Sequence, residues 1–307
     1  MGFVQVLEQI ARQGAIYAPL LIIALAAGAA FDKFFPRERL SPIFKVDGLP
    51  GSLAVSAVSA ALPSSAGGKI PLAARFKELG ASLHPTISFA IAGSALSLPG
   101  IILTLPLGWR FALLRIASAI VLGSVVGSLL QRRLKKRLEA SKPADWLSIC
   151  DPDYCDIRPQ AEEWEKTYPW RSFSWLLATN VRIILPWLAL SLALAGLLGS
   201  VIPAASFDAL LGRWWSPLLA AGLGFPFFMV AGTDVPLAQL FLAKGAPLAA
   251  VISFMLGAPA VNFPVYAMMK RWLGRAAAVD VLVATWIAAA AFGWFIMMAN
   301  WAGGKLF

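Results

Sequence analysis

Residues 66–99 read AGGKIPLAARFKELGASLHPTISFAIAGSALSLP, and the segment returns without a gap at 231–264 as AGTDVPLAQLFLAKGAPLAAVISFMLGAPAVNFP. Fourteen of the 34 aligned positions are identical at a fixed offset of 165, among them Gly67, Pro71, Gly80, Ser88, Phe89 and Pro99 with their partners. An internal repeat rich in glycine and proline, set between long apolar segments, marks secondary transporters.

The surrounding composition suits a membrane. Of 307 residues, 59% are hydrophobic and 14% charged, against about 25% charged in soluble domains; the mean hydropathy is +0.73. Stretches 15–31, 85–107, 183–203 and 246–269 are almost free of charge and long enough to cross about 30 Å of hydrocarbon. Two more, 111–131 and 276–299, each carry one charge near an end, Arg115 and Asp280. The first stretch is longer than a signal-peptide core and only Arg12 precedes it, so it reads as a retained span.

The net charge of +10 follows topology rather than nucleic-acid binding, because nine of the 26 Lys and Arg lie in 132–175, four in 32–48 and three in 268–277. Short basic loops face the cytoplasm, and a run such as RRLKKR also attracts anionic lipids. With all three loops on one side, two full crossings in 49–82 or 208–245 are awkward, and four crossings per half in parallel would put loops 32–48 and 268–277 outside. Both segments are interrupted, at Pro63–Lys69 and at Ala231–Asp234, and read as hairpins that enter and return on one side. The expected fold is therefore an all-α polytopic membrane protein of two inverted repeats. Each repeat has about three transmembrane helices plus a re-entrant helical hairpin: 1–131 and 176–307, joined by a cytoplasmic loop, 132–175.

In that arrangement the hairpin tips meet near the midplane and offer helix N-termini to an anionic group. Pro71 and Pro236 suit a first helical turn, which makes Gly67-Gly68 and Gly232-Thr233 cavity-lining candidates. Lys69 and Asp234 occupy equivalent positions. Intramembrane charges line pathways or form fixed pairs, so they either hold solute or a coupling proton, or tie the tips together. Asn262 and Ser97 stand at matched kinks, where an amide and a hydroxyl read polar groups or bond between helices. Ser64, Ser65 and Thr233 add hydroxyls for lining or capping. These ten residues form the expected substrate site.

Other polar residues admit plainer roles. Ser88 and Ser253 bond back to the preceding turn or pack closely, Arg182 snorkels to the interface, and the near-matched Arg115 and Asp280 are left open. His84, the only histidine, is an interfacial residue or a pH sensor. Cys150 and Cys155 sit among Asp151, Asp153 and Asp156; C-x4-C without further ligands is a weak metal candidate. Trp164, Trp170, Trp175, Trp214 and Trp215 read as interfacial anchors, and residues 3–13 as a short surface helix.

Gly232-Thr233-Asp234-Val235-Pro236-Leu237-Ala238, Lys244-Gly245-Ala246 and Ala258-Pro259-Ala260-Val261-Asn262 resemble the prokaryotic predicted-permease family that includes the organoarsenical efflux permeases. Gly67–Ala73 and Gly80-Ala81 match more loosely. The resemblance implies a permease of the prokaryotic cytoplasmic (inner) membrane. The family's tip cysteines are absent, replaced by Ser65, Ala66, Gly67 and Ala231, Gly232, Thr233, so the soft ligands that trivalent arsenic wants are missing.

The function expected is secondary transport of a small polar or anionic solute, with proton or ion coupling and with membrane lipids as partners. No cofactor is expected and no Walker A sequence directs ATP use. The alternatives are efflux of organoarsenical or other thiol-reactive compounds, and an intramembrane enzyme built on Asp234 and Asp280. The inverted arrangement puts those two carboxylates at different depths. Self-association into a homo-oligomer is left open.

Overall fold

The computed structural model describes residues 3–34, 42–63, 66–139, 169–226, 229 and 232–303, and among them every regular element is a helix. The first half comprises α1 (Phe3–Phe34), α2 (Gly48–Ala61), α3 (Ala66–Glu78), α4 (Leu83–Ala95), α5 (Leu98–Thr104) and α6 (Trp109–Glu139). The second comprises α7 (Pro169–Val201), α8 (Ala204–Leu211), α9 (Ser216–Gly222), α10 (Val235–Ala243), α11 (Leu248–Ala260), α12 (Phe263–Leu273) and α13 (Arg275–Gly303). Five stretches are long and apolar enough to cross a bilayer: Val6–Ala30, Leu83–Leu107, Trp109–Leu134, Asn180–Val201 and Arg275–Trp301. The pair α11–α12, bent by 49°, makes a sixth if counted as one broken span. Five of the spans read from composition are here as single stretches, and the sixth falls on the bent pair.

The halves use the same contacts. In the first, α4 packs on α2, α3 and α6; in the second, α11 packs on α9, α10 and α13. Glycine lets the backbones close, as small residues do where lipid offers no hydrophobic drive. A methyl group on Gly123 would meet Ala92 Cβ and the Ser88 carbonyl, each at 2.7 Å, and one on Gly127 would strike Ser88 Oγ. Gly257 and Gly293 press on Ala221 and Ser253 in the same way. Aromatic rings repeat the theme. Phe76 stacks on Phe44 and meets Phe89 edge-on, while Phe241 packs on Phe207 and meets Phe254 edge-on. Phe76/Phe241 and Phe89/Phe254 are repeat partners, so the knots pin α3 to α4 and α10 to α11.

Between halves, α4 lies against α11, α6 against α13, α1 against α7, and α3 against α12. From His84 to Ala95 and from Ala249 to Ala260 every residue is buried, which makes α4 and α11 the centre.

Three expectations change. Residues 3–13 form the opening turns of α1 rather than a separate surface helix, because Val6 and Ile10 pack at Gly196 of α7. Pro71 lies inside α3, not in its first turn; α3 starts at Ala66, and the missing N–H leaves the Gly67 carbonyl without its helical donor. The expected loop 132–175 is helical at both ends, since α6 runs to Glu139 and α7 starts at Pro169. Leu134, fully buried, continues the packed face of α6 into the basic run. Residues 140–168, with Cys150, Cys155 and Trp164, lie outside the described residues.

Candidate functional site

A helix break strands carbonyls that have lost their i+4 donors. α4 breaks from α5 at Leu96-Ser97, and α11 from α12 at Val261-Asn262. The two halves repair equivalent breaks with different residues. In the first, Lys69 Nζ reaches across from α3 and donates to the Gly93 carbonyl at 3.1 Å and the Leu96 carbonyl at 3.0 Å. In the second, Asn262 does the work locally. Its Oδ1 accepts from Val265 N–H at 3.0 Å, and its Nδ2 donates to the carbonyls of Ala258 and Pro259 at 3.1 and 3.0 Å. Ala258 is the repeat partner of Gly93.

Asp234, the repeat partner of Lys69, finds its partner across the halves. Its Oδ2 accepts from Arg115 Nη2 of α6 at 2.7 Å, with the side chains 0% and 1% exposed. Arg115 Nη1 donates to Thr104 Oγ1 at 2.7 Å, and Nη2 also approaches the Met255 carbonyl at 3.4 Å. The pair is single-stranded: Asp234 Oδ1 and Arg115 Nε are buried without a hydrogen-bond partner. They are the atoms that a side-on, two-bond pairing would join. A group able both to donate and to accept would satisfy both.

Gly232 brings this carboxylate into place. Its φ of 91° is left-handed, and a methyl group there would sit 2.7 Å from the Gly100 Cα. The second tip thus presses directly on the first turn of α5, beyond the α4 break. Asp234 ends this turn as the N-cap residue of α10, with Pro236 in the first turn as expected. The positive end of the helix favours a carboxylate there. Tyr17 of α1, fully buried, donates to Gln239 Oε1 of α10 at 2.8 Å and lies within electrostatic reach of Asp234.

Of the residues singled out in the sequence, Gly67, Lys69, Ser97, Gly232, Thr233, Asp234 and Asn262 are buried and Gly68 is half-buried. Ser64 and Ser65 lie outside the described residues. Lys69 and Asp234 do not pair with each other, so no Lys–Asp bridge ties the tips. Ser97 takes the cap position of α5 without a side-chain capping bond. Among the described residues no His, Cys, Asp and Glu cluster could hold a metal ion. Arg115, Thr104 and Tyr17 were not recognised as site residues. The available signal was Arg115 itself: a buried Asp234 needs a cation, and Arg115 is the only Arg or Lys in 111–131.

Five to six membrane-capable spans, charges buried at helix breaks and packing contacts repeated in the two halves define a multi-pass membrane protein. A family model for predicted permeases of the ArsP type matches residues 5–293, and the chain belongs to that family. Neither the curated proteins nor the solved structures contain a match to it.

Proposed function

We propose that the chain is a secondary transporter that moves a small polar or anionic solute through a site at the two hairpin tips. The observation that carries this reading is the buried Arg115–Asp234 pair, which joins α6 of one half to the tip of the other with one bond unmade. An entering anionic group competes with Asp234 for Arg115, and the displaced carboxylate is a natural proton acceptor. Binding and release then make and break a contact between the halves, as alternating access by one repeat moving against the other requires. The repeated helix contacts, the basic loops and the odd number of crossings per half support an inverted arrangement of the halves with re-entrant hairpins in the cytoplasmic (inner) membrane.

Family membership also favours transport over catalysis, and Asp234 faces an arginine rather than the second carboxylate that acid–base work would use. Efflux of arsenicals is the second reading; it draws on the family resemblance, and the tip residues Gly232, Thr233 and Asp234 give it no sulfur.

A thermal-shift screen of purified protein against small anions, zwitterions and thiol-reactive arsenicals tests this, with Lys69→Ala, Asp234→Asn and Arg115→Met alongside. Stabilisation by a polar solute that disappears in Asp234→Asn and Arg115→Met, followed by counterflow of that solute in proteoliposomes, supports a carrier. Stabilisation only by arsenicals, unchanged in the variants, sinks the tip site.

A further inference from the structure

The first half carries a polar seam that the second half lacks. Ser56 and Ser59 of α2, His84 of α4 and Ser124 of α6 are at most 3% exposed, while Ser128 is partly exposed. His84 Nε2 lies 2.9 Å from Ser128 Oγ, and Ser124 Oγ, whose proton also reaches the Ile120 carbonyl at 2.8 Å, lies 3.3 Å from Ser56 Oγ. One turn along α2, Ser59 Oγ donates to the Phe89 carbonyl at 2.6 Å. Ser59 Oγ and the Lys69 side chain both occupy the space that a methyl group on Gly93 would take. The seam therefore runs from the first turn of α4 to Gly93, about 14 Å at 1.5 Å per residue and one turn short of the break.

At the repeat offset, Ser56, Ser59 and His84 become Ala221, Gly224 and Ala249. The long helices α6 and α13 are offset by one residue more: Gly108 and Gly274, both at positive φ, precede them, and Gly127 and Gly293 make matching contacts with Ser88 and Ser253. Ser124 and Ser128 thus become Ala290 and Trp294. Gly224 abuts Ala258 where Ser59 abuts Gly93. At the counterparts of Ser56, Ser59, His84 and Ser124 the same helix crossings close on alanine and glycine in the second half, so packing does not call for those polar groups. His84 Nδ1 and Ser52 Oγ, both buried in the first half, have no hydrogen-bond partner, and an imidazole nitrogen is a proton-exchanging group.

We propose that this seam is a proton path, in which His84 exchanges a proton at the outer end and Ser128, Ser124, Ser56 and Ser59 relay it to or from Lys69 at the α4 break. It rests on the permease reading, to which it adds the coupling ion and the half that carries it. In one passage the Lys69 ammonium gives a proton to Ser59, each hydroxyl passes on its own, and the imidazole gains one. The net change is a neutral amine and an imidazolium, and the hydroxyls are restored by rotation. Ser124 and Ser128 stand one turn apart on α6, Ser56 and Ser59 one turn apart on α2, and at Gly93 it is the Lys69 stem that neighbours Ser59 Oγ; a rotated hydroxyl or one water spans each of these three gaps. Around the ring, Asp47 ahead of α2 is the charged group that acts on it, and α6 presents Ser128 and the Ser124 backbone. At the end of α3, Arg75 bonds Glu78 and Lys77 bonds the Ala81 carbonyl; α11 is uncharged along its length.

The test uses the full chain in proteoliposomes with trapped pyranine, proton entry being driven by a valinomycin-clamped potassium potential. Wild type should pass protons faster than protein-free vesicles. Ser56→Ala, Ser59→Ala and His84→Gln should slow that flux about tenfold or more, with Ser253→Ala, outside the seam, unchanged. Flux equal to that of empty vesicles, or flux indifferent to the seam variants, overturns the path. Because His84 is the only histidine, histidine-15N NMR of the wild type reads a single ring, which needs no variant to fold. The ring should change protonation when the sample is titrated, with a midpoint moved in Lys69→Met; a ring fixed in one state overturns the proposal. Solute-dependent stabilisation that persists while the seam variants leave flux unchanged refutes the path alone. Seam-dependent proton flux with no solute counterflow refutes the carrier reading and leaves the path standing.

Discussion

Removing Arg115 should cost more stability than removing Asp234, and removing both should cost less than either. Arg115→Met leaves the Asp234 carboxylate in the bundle interior with no cation, since the guanidinium is its ion-pair partner. Breaking a buried pair from one side typically costs about 3–5 kcal/mol. Asp234→Asn is milder, because Arg115 keeps Thr104 Oγ1 and the Met255 carbonyl; the loss is about 1.5–3 kcal/mol, the worth of one hydrogen bond to a charged group. In Arg115→Met/Asp234→Val neither charge remains, and apolar replacement of a buried pair is often close to neutral. Thr104 Oγ1 still donates to the Gly100 carbonyl there, so no hydroxyl is orphaned. Asp234→Val closes the cycle and should cost at least as much as Asp234→Asn, so the losses should miss additivity by about 4.5 kcal/mol or more. Titration with SDS in mixed micelles, followed by tryptophan fluorescence, measures it. Single-variant losses that add to the double within about 0.5 kcal/mol would refute a direct, desolvated pair, and with it the contact on which the proposed solute competition depends.

Gly232→Ala places a side chain at left-handed φ and against the Gly100 backbone, where neither partner yields; thermal unfolding should show a loss of about 2 kcal/mol or more. Gly93→Ala should cost about 1–3 kcal/mol by overpacking. Adding Ser59→Gly, which copies the Ala258 and Gly224 of the other half, should recover part of it, and no recovery would mean that Lys69 alone causes the clash. Asn262→Ala removes a cap and two carbonyl bonds, for about 1–3 kcal/mol. Asn262→Asp keeps the cap to Val265 but loses both donations, so unfolding midpoints should rank wild type above Asp above Ala.

The spans were legible because apolar length is a direct demand of the bilayer, and the breaks because glycine and proline interrupt the repeat where the backbone turns. The partners of the charges were not. Arg115 and Asp234 are 119 residues apart, and periodicity tells which residues face inward without telling which helix they meet. The amphipathic stripe Val6, Ile10 has the same difficulty: a lipid surface and the groove at Gly196 of α7 ask for the same residues. Pro71 read as a helix start because Pro236 is one; equal sequence around the two prolines hid the different positions at which α3 and α10 begin.

The contrast between repair and function at the two breaks follows from that divergence. A broken helix in a membrane must have its carbonyls satisfied by protein, and the second half meets the need with Asn262, a neutral side chain within its own turn. Lys69 meets the same need in the first half with a charge brought from another helix. A neutral residue suffices for the repair, as Asn262 demonstrates, so the ammonium group exceeds what the backbone requires. The stem that carries it packs beside Ser59 Oγ at Gly93, at the inner end of the hydroxyl seam, and on the α5 side of the break Gly100 touches the tip that holds Asp234. Symmetry therefore supplies the scaffold, while the unequal residues concentrate on one line: His84, the serines, Lys69, the break, then Asp234 and Arg115. A change of charge at Lys69 loosens its hold on the Gly93 and Leu96 carbonyls, and the break it secures is the surface against which the opposite tip rests.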